Sequence, residues 1–303
     1  EEAVAVKFLW PIKFILTEEG DEKTKFQDEI LNGKIKTIKQ IIYEKDRVDT
    51  ALYFFNEVGL LEEAITNGFR DIHSYNWANQ KIKSTSFDLN HGGIELQSNE
   101  YLYENENLIT HILKYPSSTF KITYYYDYFI TYYTYNINKQ LVEEKKFSKR
   151  KEDTKEMFCH RYTYQYDSIG NRTIVEKFEE NGSMWEKIEN KYRNNKLIET
   201  FTWTSFEGED LYLKDIYVYN ENDKLESLIN IVYNYGSTTD IQHSDTTNYL
   251  YDDQQRLIKI IEPRNFIYYN LTSFSDFDIK GNWQQKTIVD TKKIIREIEY
   301  YNE

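Results

Sequence analysis

The chain has 303 residues and a net charge of -13, with acidic and basic residues interspersed along it. Such a surface repels nucleic acid, and no basic run opposes that repulsion. The single cysteine, Cys159, excludes an internal disulfide. No run of about 18 uncharged apolar residues marks a membrane helix. We therefore expect a chain that binds no nucleic acid and does not span a membrane.

The aromatic content is high at 17%, and 28 of these residues are tyrosines. Tyrosine favours strands, where it offers an apolar ring and a polar tip. Residues 1–50 contain only degenerate strands; residues 4–16 are apolar around Pro11 and are predicted as an edge strand or a cap. The first residue is Glu1 rather than Met, which either a cleaved export signal or trimming would explain.

From residue 51 to residue 303 one unit recurs about every 28 residues, a spacing typical of repeat architectures. It consists of two aromatics separated by one residue, then Asp or Asn, a turn residue and Leu. The clearest copy contains Tyr164, Tyr166, Asp167 and Gly170. The second aromatic of each copy is Phe55, Tyr75, Tyr103, Tyr135, Tyr166, Tyr192, Tyr219, Tyr251 or Phe277.

Each part of this unit has a physical reason. Aromatics two residues apart share one face of a strand, and Asp or Asn can start a turn by bonding its own backbone. The turn residue needs a positive φ, which suits Gly59, Gly170 and Gly281, and Asn79 and Asn107 at the same offset.

A second set of turns alternates with the first. These turns lie at Asn32-Gly33, Asn67-Gly68, Gly92-Gly93, Asn181-Gly182 and Glu207-Gly208. Two strands per repeat give an antiparallel meander of about 18–20 strands. We predict one all-β domain over residues 1–303, curled into an open barrel, a shell or a superhelical sheet because twist accumulates in long sheets.

The residues from Tyr164 to Arg172 resemble the YD repeat of the Rhs family. Residues 277–300 are similar to the end of exported Bacteroidetes-type members of that family, and the resemblance covers roughly residues 50–303. It implies curled antiparallel sheets, sometimes hollow shells, and export. The chain ends at its last repeat without a downstream toxin domain, so the resemblance implies no toxin activity.

No catalytic residue, cofactor site or metal site is predicted, because no zinc, phosphate-loop or nucleophile pattern is present. His243 and Asp245 could share a face as an acid–base pair or as metal ligands, but the polar stretch 237–247 is predicted as an exposed loop. Cys159 and His160 are neighbours and would point to opposite faces of a strand.

Aromatic rings offer the only binding signal. Trp283 and then Trp203 are the candidates for a ring that stacks on a ligand at an open end of the sheet, and the alternative is that both are core residues. We expect a non-catalytic exported or cell-surface protein (periplasmic, outer-membrane-anchored or secreted) that binds a glycan, a peptide or an envelope component. A structural shell without a small ligand is the alternative, and a carbohydrate-active enzyme is the third.

Overall fold

The computed structural model describes residues 23–26, 29–44, 47–115, 126–150, 153, 155–206, 209–234, 236–264, 268–288 and 292–301. They form 22 strands and one short 3-10 helix, Leu89–His91. The strands are β1 Lys23–Phe26, β2 Glu29–Asn32, β3 Ile35–Glu44, β4 Arg47–Phe55, β5 Leu61–Thr66, β6 Phe69–Tyr75, β7 Lys81–Asp88, β8 Ile94–Glu104, β9 Asn107–Lys114, β10 Tyr126–Tyr135, β11 Leu141–Arg150, β12 Met157–Tyr166, β13 Arg172–Glu179, β14 Met184–Arg193, β15 Lys196–Phe206, β16 Glu209–Tyr219, β17 Leu225–Tyr233, β18 Ile241–Tyr251, β19 Leu257–Arg264, β20 Tyr268–Phe277, β21 Trp283–Ile288 and β22 Lys292–Tyr300.

The predicted all-β meander is confirmed, and its curl is complete. Strands β3 to β22 form one antiparallel sheet of 20 strands that closes into a barrel, while β1 and β2 form a separate hairpin. Closure comes from β22, which pairs with β3 over a register running from Lys292–Glu44 to Tyr300–Ile35. A closed sheet has no unpaired edges, which is one solution to the twist of a long meander.

The repeat turns follow one hydrogen-bonding pattern. In each, the side chain of Asn or Asp accepts hydrogen bonds from the backbone N–H groups two and four residues further on. The turns with this pattern start at Asn56, Asn76, Asn136, Asp167, Asn220, Asp252 and Asp278. Because alternate turns of a meander lie at the same end, these turns form one end of the barrel, here called the turn rim.

Positive φ angles lie where the repeat predicts them, with one exception. Gly59, Gly170, Gly281 and Asn79 all have a positive φ. The prediction for Asn107 is wrong. That copy of the repeat is shorter, and the left-handed residues are Asn105 and Glu106, a pair that suits a two-residue hairpin turn. In the second turn set, Glu207-Gly208 lies outside the described residues.

The tyrosine at the second aromatic position makes a hydrogen bond that Phe cannot make. Its hydroxyl donates to a backbone carbonyl at the start of the strand after the preceding turn, as Tyr219 does to Leu197 at 2.9 Å. We call this set the tyrosine ladder: Tyr75, Tyr103, Tyr135, Tyr166, Tyr192, Tyr219 and Tyr251, with donor–acceptor distances from 2.6 to 3.1 Å. The ladder ties each repeat to the one before it.

One face of the sheet points to the barrel interior. Cross-strand partners share a face, so the face that contains Gln40 can be followed from Ala51 around the ladders to Arg296, which again pairs with Gln40. Most buried side chains of the barrel lie on this face, including Ile38 and Tyr53. The alternate residues form the outward face.

The dense core lies beside the seam between β22 and β3. Leu31 of the β2 hairpin packs there with Ile35, Ile38, Phe55 and other apolar residues of β3 to β5. The side chain of Asn282, in the turn before β21, binds the end of β2. Its amide Nδ2 donates to the Asn32 carbonyl at 2.9 Å, and its Oδ1 accepts from the backbone N–H of Asn32 at 2.8 Å. The predicted cap at residues 4–16 lies outside the described residues.

Candidate functional site in the barrel interior

A closed barrel of 20 strands is wide enough to enclose a lumen. Antiparallel barrels of about 16 or more strands leave a water-filled interior, because the diameter grows with strand number. Away from the seam the interior-facing side chains are mostly half-buried rather than fully buried. In β18, for example, His243, Asp245 and Tyr249 are half-buried, while their outward neighbours Ser244 and Thr246 are exposed.

The lumen wall is polar at mid-height on β14 to β18. Five side chains in successive strands form a continuous line that we call the interior polar row: Asn190, Thr200, Asp215, Asn230 and Asp245. Each is the cross-strand partner of the next. With about 4.8 Å between strands, the row follows the inner circumference.

Hydrogen bonds fix the members of this row. The Thr200 hydroxyl donates to Asn190 Oδ1 at 2.9 Å, and Asn230 Nδ2 donates to Asp215 Oδ1 at 2.7 Å. A ring nitrogen of His243, two residues along β18, is hydrogen-bonded to Asp245 Oδ2. The side chains are therefore held in place before any ligand arrives.

Apolar side chains flank the row on both sides. Toward the turn rim lie Tyr217 and its cross-strand partner Leu228. On the other side lie Leu213 and its partner Val232. Tyr217 is buried. On β16 and β17 the row thus lies between two apolar pairs, while Thr202, Thr247 and His243 continue these lines on the neighbouring strands.

Burial tunes the ionisable groups of this wall. Burial raises the pKa of the Asp215 carboxyl, and the hydrogen bond from Asn230 opposes that rise. Burial also raises the pKa of Glu186 on β14, opposed by the positive charge of Lys177. The pKa of Tyr217 rises to about 12, first through burial.

A second polar group lies further along the wall, on β11 to β13. Tyr164 donates to Glu144 Oε1 at 2.6 Å, and the Arg172 guanidinium lies 4.5 Å from the centre of the Tyr164 ring. Burial raises the pKa of Glu144, while the hydrogen bond from Tyr164 and the charge of Arg172 lower it. The Arg172 Nε of this group is buried and makes no hydrogen bond among the described residues.

The structure places the two predicted tryptophans on opposite faces. Trp283 is 9% exposed and packs against Phe274. The guanidinium carbon of Arg296 lies 3.6 Å from the centre of the Trp283 ring. Trp203 is half-buried on the outward face, opposite Tyr212. The structure therefore does not bring the two tryptophans together.

The region around His243 differs from its prediction. Residues 241–247 were expected in an exposed loop, but they begin strand β18. The strand was not recognised because its side chains are polar on both faces: Ser244 and Thr246 point outward, and His243 and Asp245 face the interior. His243 and Asp245 do share a face, as the alternative required. No group of three or more His, Cys, Asp or Glu side chains among the described residues is arranged to hold a metal.

Large apolar side chains project from the tips of the turn rim. Trp77 is 96% exposed there. The others are Val58, Ile137, Ile169 and Ile279. A shallow depression of about 480 Å³ opens beside the turn between β14 and β15 and reaches Tyr217 and Tyr219. Trp77, rather than Trp283 or Trp203, is therefore the tryptophan exposed at this end of the barrel.

The outward face carries ion pairs all around the barrel. They include Lys39 with Glu297 at 2.9 Å, Lys114 with Glu100 at 2.6 Å and Lys187 with Glu189 at 2.6 Å. No helix among the described residues is long and apolar enough to span a membrane.

Comparison with known proteins gives little beyond the fold. No family model matches the chain, and no curated protein matches it. Among solved structures, the chain is similar to a porin-like protein from Bacteroides uniformis, with 11% sequence identity and a TM-score of 0.36. The match covers 88% of this chain and 98% of that one. A likeness of this strength does not extend the neighbour's name to this chain.

Proposed function

We propose that the protein is an exported, non-catalytic barrel that holds a polar ligand, such as a glycan, a peptide or an envelope component, in its lumen. The observation that carries the proposal is the lumen wall of β14 to β18. Fixed polar groups there are flanked by apolar side chains on β16 and β17, which is the composition of a binding surface rather than of a packed core. The resemblance to exported YD-repeat proteins supports the location.

The outward ion pairs support a barrel that stands in water. A charged side chain on the lipid face of a barrel costs about 2–4 kcal/mol at the membrane centre. Glu100 and Lys114 lie on adjacent strands with their charges outward. We expect the protein to remain in the aqueous phase without detergent after cell fractionation; a requirement for detergent would contradict this part of the proposal.

Substitutions at two neighbouring positions of β13 test the lumen. Val175 faces the interior, opposite Tyr164, and Ile174 faces outward. If the interior is a lumen, Val175→Trp is tolerated and narrows the space for a ligand. If the interior is a packed core, the larger side chain lowers the free energy of unfolding by about 1–3 kcal/mol. Ile174→Trp is the matched control for the added indole.

The assay is binding of the purified protein to polysaccharides, peptides and envelope fractions, with thermal unfolding measured in parallel. We expect Val175→Trp to keep the melting temperature and to weaken binding, and Ile174→Trp to change neither. If the unsubstituted protein binds nothing in the panel, the structural shell is the better description. That alternative is favoured by the tyrosine ladder, which stabilises the barrel without any ligand.

A further inference from the structure

We propose that the interior polar row is a binding site for an extended, uncharged glycan chain that lies across strands β14 to β18, one sugar unit to about one strand. This inference rests on the proposed function and names its ligand class. The row is built from Asn190, Thr200, Asp215, Asn230 and Asp245.

The first argument is the spacing of polar groups. Neighbouring strands are about 4.8 Å apart, close to the length by which one pyranose extends a β-linked chain. Each strand contributes one polar side chain to the row. A glycan along the inner circumference would therefore meet a hydrogen-bonding group at every unit.

The second argument is the match in polarity across the row. A pyranose has hydroxyls around its edge and apolar C–H groups on its faces. On β16 and β17 the wall offers the same alternation, since Tyr217 and Leu228 border the row on one side and Leu213 and Val232 border it on the other. The Tyr217 ring is the apolar platform next to Asp215.

The third argument concerns charge. Asp215 and Asp245 are carboxylates in a row otherwise made of amides and a hydroxyl. Carboxylates accept hydrogen bonds from sugar hydroxyls, and they repel a chain of uronic acids. The net charge of -13 acts in the same direction. The ligand expected here is uncharged.

The fourth argument sets a glycan apart from a peptide that binds as an added strand. Such a peptide pairs with the unpaired edge of a sheet. The barrel has no such edge, because β22 pairs with β3. Recognition inside the lumen must therefore use side chains, and these side chains repeat with the strand spacing.

The test uses β-linked gluco-oligosaccharides of increasing length, titrated into the full-length protein by calorimetry. We expect the affinity to rise with each added unit up to about five units, one for each strand of the row, and then to level off. A polyuronate of the same length should not bind. A site made of one stacking ring would instead reach its full affinity with one or two units.

Two asparagines provide a matched pair of variants. Asn230 lies in the row on β17, and Asn248 lies on the outward face of the adjacent strand β18. We expect Asn230→Leu to weaken binding of the longest oligosaccharide about tenfold, since a hydrogen-bonding group and its support for Asp215 are both lost. Asn248→Leu should leave binding unchanged. If Asn230→Leu fails to fold, binding is measured instead with Asp215→Asn, which keeps the size of the side chain.

The possible outcomes separate this inference from the proposed function. If the oligosaccharides bind without length dependence, or if both leucine variants bind alike, the row is not the site. If another polymer binds and Val175→Trp abolishes that binding, the glycan inference is overturned while the lumen function stands. If nothing binds, both are overturned.

Discussion

Removing one hydroxyl from the tyrosine ladder is a direct test of how the repeats are joined. In Tyr219→Phe the ring remains, but the hydrogen bond to the Leu197 carbonyl at 2.9 Å is lost. The carbonyl is partly buried, so it would regain only part of this bond from water. A neutral hydrogen bond contributes about 0.5–1.5 kcal/mol, and stranding a buried acceptor costs up to about 3 kcal/mol. We expect the free energy of unfolding to fall by about 1–2 kcal/mol.

The assay is equilibrium unfolding in urea, with the midpoint and the slope compared between variants. Tyr132→Phe is the control, because Tyr132 lies on the outward face and is 40% exposed; its change should stay within about 0.5 kcal/mol. Tyr135→Phe, several strands away, should add to Tyr219→Phe. If Tyr219→Phe costs no more than Tyr132→Phe, the ladder does not hold the repeats together.

Three further predictions concern single residues. Gly170 has a φ of +92°, so Gly170→Val should lower the free energy of unfolding by about 1–3 kcal/mol; an unchanged melting temperature would show that the turn register is wrong. Trp283→Ala should cost about 3–5 kcal/mol, as expected for a buried Trp, while Trp203→Ala on the outward face should cost clearly less, and calorimetric unfolding measures both. Burial, with help from Lys81, lowers the pKa of His73 from 6.5 to about 4. Stability should therefore fall as the pH drops from 6.5 toward 4, because only the unfolded chain takes up the proton there; a pH series in which His73→Gln shows the same slope would refute this.

The turns of the fold could be predicted from the sequence because they are local. Asp167 and Gly170 sit three residues apart, and the hydrogen bonds they specify lie within the same five residues. Closure could not be predicted, because it depends on the pairing of β3 with β22, which is more than 240 residues away in sequence. The alternation of residues 34–39 and of residues 294–300 is typical of strands, but it does not identify the strands with which they pair.

The candidate site was harder to predict for a different reason. Sequence reading assigns polar residues of a strand to the solvent face, and a wet interior reverses that rule. Residues such as Thr247 and Asp245 therefore resembled an exposed loop, although they face the lumen. Their place within the repeat does not mark them either, because Asp215 lies four residues before Tyr219 and Asp245 lies six residues before Tyr251. Only the strand register brings them into one row.

Closure also explains how a sheet with polar side chains on both faces can be stable. A flat sheet of this composition would bury too little apolar surface and leave two open edges. In the barrel every strand has two neighbours, and the tyrosine ladder adds one hydrogen bond in each of seven repeats. The dense core is confined to the seam, around Ile35, Ile38 and Phe55, where the two ends of the chain must be held against each other. Elsewhere the interior side chains need not be apolar. Strands β14 to β18 can therefore carry the interior polar row.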